Sequence, residues 1–344
     1  MKKIVLGLVC AMSFSFATTS EDNQKNVDET LKKLNTKIEN LKKQLHSNDS
    51  EETIKYWEEE ANQGDVTAQF IIARTYYYNV KDYKKAIEWY EKAANQGHIK
   101  AQLELGSLYS EKENTEKDYK KAIKWLEKVA NLEITLDDVE NGKFDELNAL
   151  KAVAQNNLGN LYYNGHGVKQ DKNKAKELYE KSCAGDEGCT NLGLLYANGA
   201  GVQQDYAKAA EFYKKACKNE DLMGCNNLGF LHAQGRGVEL DNKKASEYYQ
   251  KACDGGIAMG CDNLAFMYAM GKGNVQDFKK ASQFYEKACN NGYDKGCNNL
   301  GILYAEGKGV SVDNAKAKEL FKSSCDKGLK EGCENAQLLE KITK

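Results

Sequence analysis

Residues 224–253 read GCNNLGFLHAQGRGVELDNKKASEYYQKAC, and the same string returns with variations from Gly188, Gly260 and Gly296. The copies are GCTNLGLLYANGAGVQQDYAKAAEFYKKAC, GCDNLAFMYAMGKGNVQDFKKASQFYEKAC and GCNNLGILYAEGKGVSVDNAKAKELFKSSC. Cys217, Cys253, Cys289 and Cys325 lie 36 residues apart, as do Cys189, Cys225, Cys261, Cys297 and Cys333. Self-similarity at a fixed period of this size is the signature of a stacked repeat architecture.

Each copy contains two helical patterns. The first runs Cys-x-Asn-Leu-Gly-x-Leu-Tyr, with apolar residues at helical spacing. It stops at a glycine pair such as Gly199 and Gly201, because glycine takes the left-handed turn that ends helices. An aspartate follows (Asp205, Asp241, Asp277, Asp313), suited to the start of the next helix. The second pattern is Lys-Ala-x-x-Phe/Tyr-Tyr-x-Lys-Ala-Cys. Each unit is therefore an αα-hairpin. One hairpin cannot bury its apolar stripe alone, whereas stacked hairpins share one continuous core.

Earlier segments repeat the plan without cysteine. Ile54 to Gly64, Ile87 to Gly97 and Ile123 to Asn131 copy the second helix; Leu103 to Tyr109 and Asn157 to Tyr162 copy the first. In this alignment Ala61, Ala94 and Ala130 take the place of the first cysteine, and Ala68, Ala101 and Ala154 that of the second.

The string LGxLYxxGxGVxxDxxKAxxYYxKAC resembles the SEL-one-like repeat, a relative of the tetratricopeptide repeat. A cysteine pair at each hairpin junction, together with an export signal, is similar to the secreted Helicobacter cysteine-rich proteins. The resemblance covers about residues 51–344. It implies an all-α, α/α superhelical solenoid. Some members of that family have been described as weak β-lactamases or penicillin binders, so the resemblance also raises hydrolysis of β-lactam rings. The repeat spacing itself says nothing of that activity.

Composition agrees with the helical reading. The 344 residues contain no proline, where roughly 17 are expected at about 5% usage; proline is excluded from helix interiors. Lys+Arg 49 against Asp+Glu 51 gives a net charge of −2, which argues against a general nucleic-acid binder. No apolar run is long enough to span a membrane. Residues 1–17 combine Lys2 and Lys3, an apolar stretch Ile4 to Phe16, and small residues Ser15 and Ala17. That reads as a signal peptide cleaved after Ala17, and the expected location is secreted or periplasmic.

The remaining domain plan follows. Residues 18–50 form an N-terminal amphipathic helix or cap, 51–130 the cysteine-free repeats, and 131–150 an acidic insert. Residues 151–331 carry SEL-one-like repeats, disulfide-bridged from about 183, and 332–344 a C-terminal capping helix. Val27, Leu31, Leu34, Ile38, Leu41 and Leu45 alternate by four and three, so 27–45 offers an oligomer seam as an alternative to a cap.

Ten cysteines fall beyond residue 180, an even number that implies disulfides in an exported chain. Their C-x7-C and C-x5-C spacing does not suit zinc, and His46, His98, His166 and His232 are scattered singly; no metal and no cofactor is expected. The first cysteine ends one helix and the second opens the next. The expected pairs are therefore Cys183–Cys189, Cys217–Cys225, Cys253–Cys261, Cys289–Cys297 and Cys325–Cys333.

No catalytic motif emerges. Ser324-Cys325-Asp326-Lys327 is the one S-x-x-K, and S-D-N and K-T-G are absent. One feature suits binding: Asn157, Asn191, Asn227, Asn263 and Asn299 each precede the Leu of a first helix. A row of carboxamides can clamp an extended peptide backbone, or can serve a helix–helix hydrogen bond repeated with the fold. Tyr162, Tyr196, Tyr268 and Tyr304, with His232 in the same slot, read as packing groups. The expected function is a scaffold binding a peptide, a protein or a peptidoglycan-like cell-wall fragment on a concave face. A weak β-lactamase is the alternative.

Overall fold

The computed structural model describes residues 51–111 and 115–342. The expected signal peptide 1–17 and the segment 18–50, with its seam at 27–45, lie outside the described residues. Seventeen α-helices and no strand occur among the described residues. The chain divides into two compact units, 1–98 and 99–344.

The first unit holds α1 (Glu51–Asn62), α2 (Val66–Thr75) and α3 (Tyr83–Asn95), with a π-helical turn over Tyr76–Val80. Its core joins Ala61, Ala68, Ile72, Ala86, Tyr90 and Ala94, all almost fully buried. No glycine pair marks the turn between α2 and α3; Lys81 takes the left-handed conformation there (φ 64°).

The second unit alternates first and second helices. The first helices are α4 (Ile99–Leu108), α7 (Phe144–Asn164), α9 (Cys189–Asn198), α11 (Leu222–Gln234), α13 (Ala258–Met270), α15 (Asp294–Glu306) and α17 (Lys330–Ile342). The second helices are α5 (Glu116–Ala130), α8 (Lys172–Ala184), α10 (Tyr206–Lys218), α12 (Asn242–Asp254), α14 (Phe278–Asn290) and α16 (Asn314–Asp326). A short α6 (Leu136–Glu140) lies in the acidic insert. From Phe144 onward the insert belongs to the 21-residue α7. Thr135 and Asp138 cap α6 reciprocally.

One hairpin shows why the pattern folds this way. In α11, Cys225, Leu228 and Leu231 are buried; in α12, Ala245, Tyr249, Ala252 and Cys253 are buried. Gly229 leaves room for the Tyr249 ring, because a Cβ there would sit 3.0 Å from it. Asp241 caps α12 by accepting from the Lys244 backbone N–H at 2.9 Å, and Asp171, Asp205, Asp277 and Asp313 repeat that bond. The second glycine of each pair is needed twice over. Gly237 has φ +67°, and a Cβ on it would collide with the backbone at Tyr206 and Ala207 of the preceding second helix. Successive hairpins thus seat on one another through a contact that only glycine allows.

Candidate functional site

The hairpin junctions carry the disulfides. Cys183–Cys189, Cys217–Cys225, Cys253–Cys261, Cys289–Cys297 and Cys325–Cys333 are bonded, with Cα atoms 4.5 to 4.6 Å apart. Five disulfides mark a chain that matures in an oxidising compartment outside the cytoplasm.

The expectation for the cysteine-free junctions is corrected by one position. The second cysteine follows the first by eight residues at four junctions. Eight residues after Ala61 and Ala94 stand Gln69 and Gln102, not Ala68 and Ala101. Gln155, not Ala154, fills the same place before Asn156 and Asn157. All three glutamines are buried. Gln69 Nε2 donates to the Ala61 carbonyl at 3.1 Å, and Gln155 Nε2 to the Ala130 carbonyl at 3.4 Å. The alanine alignment matched residue size; the junction instead demands a group that reaches back to the preceding helix end.

The five asparagines are all half-buried, and most of their amide groups bond between repeats. Asn191 Nδ2 donates to Asn156 Oδ1 at 2.8 Å, Asn263 to Asn226 at 3.0 Å and Asn299 to Asp262 at 2.9 Å. Asn157 donates to Ser107 Oγ at 3.1 Å, and Asn335 in α17 extends the ladder to Asn298 at 2.8 Å. The ladder lapses at Asn227, whose expected acceptor is Thr190; the buried Thr190 hydroxyl has no hydrogen-bond partner among the described residues. Sequence reasoning missed the accepting residue, which for Asn191, Asn263, Asn299 and Asn335 is the one directly before the preceding repeat's asparagine. Asp262 is the one carboxylate among these acceptors, and burial raises its pKa to about 6 against the pull of Asn299 and Lys295.

Beside this ladder runs a row the sequence reading did not single out. Leu194, Phe230 and Phe266 occupy one repeat position on α9, α11 and α13 and are exposed, with Met223 and Met259 exposed seven residues earlier on α11 and α13. Arg236 lies 5.9 Å from the Phe230 ring centre and Lys272 5.5 Å from that of Phe266. The x of the Leu-Gly-x-Leu pattern was the available signal. Between α4 and α7 the same face opens into a cavity of about 580 Å³, lined by Ser107, Ser110, Asn157, Asn160, Asn164 and His166. The Tyr/His slot packs on second helices: Tyr196, His232 and Tyr268 stack on Phe212, Tyr248 and Phe284.

Ser324 is fully buried, and its hydroxyl donates to the Phe321 carbonyl at 3.0 Å. Lys327 pairs instead with Asp294 at 3.1 Å. The pair forms no exposed nucleophile and base. Among the described residues no three His, Cys, Asp or Glu side chains gather into a metal cluster, and no helix is long and apolar enough to cross a membrane.

These features define an all-α repeat solenoid of stacked, junction-stapled hairpins. The chain belongs to the Sel1 repeat family, whose model matches residues 67–98, 99–133, 152–187, 186–221, 222–257, 258–293 and 294–329. Among solved structures it is similar to c5321, a protective antigen of uropathogenic Escherichia coli with an SLR fold: 27% identity and TM-score 0.52. That match covers 82% of this chain and 66% of the antigen, so this chain spans just under two thirds of its length. A Sel1 repeat protein from Oxalobacter formigenes shares the fold at 24% identity and TM-score 0.57, over 72% of this chain and 88% of that one. Helicobacter pylori cysteine rich protein B is 34% identical over 40% of this chain and 99% of its own, with TM-score 0.33. No curated relative matches the sequence.

Proposed function

We propose that the protein is an exported scaffold, secreted or periplasmic after cleavage behind Ala17, that binds an extended peptide or protein segment along its first helices. The exposed apolar row Leu194, Phe230 and Phe266 carries this reading. Large apolar groups repeated in register on a surface are a docking feature rather than a folding one. Several successive first helices touch one another (α4 with α7, α9 with α11, α13 with α15, α15 with α17), while no pair of successive second helices reaches that degree of contact among the described residues. The first-helix face is then the inner, concave one, as suits partner capture.

The asparagine row contributes differently from the expected clamp. The Nδ2 groups of Asn157, Asn191, Asn263 and Asn299 donate between repeats, and the Oδ1 atoms of Asn191, Asn263 and Asn299 accept no hydrogen bond among the described residues. They are free to accept from a partner's backbone N–H. In this reading a partner chain meets alternate apolar contacts and amide acceptors, one set per repeat.

A photo-crosslinking residue in place of Phe230 or Phe266, with Lys214 on α10 as control, tests this in the cell envelope. The reading expects the same discrete adduct from 230 and 266 and none from 214. Equal adducts at all three positions would overturn it. Nitrocefin turnover serves the β-lactamase alternative, and with Ser324 buried none is expected from wild type or Ser324→Ala.

A further inference from the structure

Between second helices α5 and α8 lies a groove of about 840 Å³, floored by α7 and closed on one side by residues 131–134 of the insert. Its volume is in the range of small-molecule sites. Leu158 and Leu178 form an apolar floor, with Ile134 from the insert. Lys151, Lys174 and Lys181 line it together with Glu127 and Glu133. Lys174 pairs with Glu177 outside the lining, which leaves Lys151 and Lys181 as the cations of the groove.

Lys181 is the distinctive member. It stands two residues before the first cysteine of its repeat, as Lys215 and Lys251 do in theirs. Lys215 and Lys251 reach back across the junction and donate to the carbonyls of Cys183 and Cys217. The corresponding carbonyl for Lys181 is that of Ala130, and Gln155 already occupies it. Lys181 has neither hydrogen bond nor ion pair among the described residues and lines the groove instead. Lys151 is committed to the Leu132 carbonyl at 2.8 Å, and Lys174 to Glu177 at 3.4 Å. The insert that sets the two second helices 17 residues further apart in sequence than elsewhere thus opens the groove and frees one cation.

We propose that this groove binds a monoanionic ligand, a carboxylate carried on an apolar body, with Lys181 as its charge partner. The site lies between second helices and is separate from the first-helix face. An acyl chain and an apolar peptide C-terminus share this chemistry.

Calorimetric titration of the full chain tests the site with three probes: decanoate, 1-decanol, and the peptide acetyl-Ala-Leu-Leu as free acid. At least one of the two carboxylates should bind saturably, one per chain. The site should hold it about tenfold more tightly than the alcohol, the scale of one charge-assisted contact. Lys181→Glu should abolish this binding and Lys181→Arg retain it, with thermal melts confirming that both variants fold. Decanoate alone binding assigns an acyl ligand; the peptide alone binding assigns a chain terminus. The proposal is overturned if neither carboxylate binds, if decanol binds as well, or if Lys181→Glu binds unchanged.

Discussion

At the scale of single residues the ladder makes two sharp statements. Asp262 occupies a position held by Asn156, Thr190, Asn226 and Asn298 in other repeats. Burial holds its folded pKa near 6, above the ordinary carboxylate range. A carboxyl whose folded pKa is raised binds more protons folded than unfolded between about pH 4 and pH 6, so its contribution to stability is lost as pH rises through that window. Asp262→Asn keeps an acceptor for Asn299 and removes the titration. The variant should melt higher than wild type at about pH 7.5, with the gap shrinking toward about pH 4.5; a gap independent of pH would refute the assignment. Thr190→Asn should supply the missing rung to Asn227 and stabilise the chain by about 1 kcal/mol, read from denaturant midpoints. No gain would mean that the Thr190 hydroxyl is already satisfied.

At the scale of the helical element, a junction can be stapled covalently or by a glutamine. Gln96 Nε2 donates to Gln69 Oε1 at 2.8 Å, and Gln69 in turn holds the Ala61 carbonyl. The double substitution Ala61→Cys/Gln69→Cys restores the eight-residue spacing of the later junctions and should form a sixth bridge, seen as a loss of free thiols and a higher melting temperature. Thiols that stay reactive in oxidising buffer would show that the first junction is built differently.

The helices, their caps and the cysteine pairs were legible because each depends on local chemistry at a fixed period. Asp241 and Gly235 announce a start and a stop wherever the period places them. The glutamine staple was not legible, since a buried amide is recognised only once the carbonyl it reaches is in place. The turn at Tyr76–Val80 was also missed, because Lys81 adopts a left-handed conformation normally signalled by glycine. The asparagine row and a repeated helix–helix hydrogen bond for it were visible, but the acceptor was not, because Asn226 belongs to the repeat before its donor Asn263.

At the scale of the whole molecule, all five disulfides lie beyond residue 180. Each closes a loop of six or eight residues, worth roughly 2–3 kcal/mol in chain entropy. Reduction should therefore loosen residues 183–333 while leaving hydrogen-exchange protection before residue 130 nearly unchanged. Uniform loss along the chain would point to a single cooperative unit instead. Neighbouring pairing staples the end of each hairpin to the start of the next, so peptide mapping of the unreduced protein is the most direct test. The account predicts five linked peptides, joining 183 to 189, 217 to 225, 253 to 261, 289 to 297 and 325 to 333; any abundant peptide that links two different junctions would contradict it.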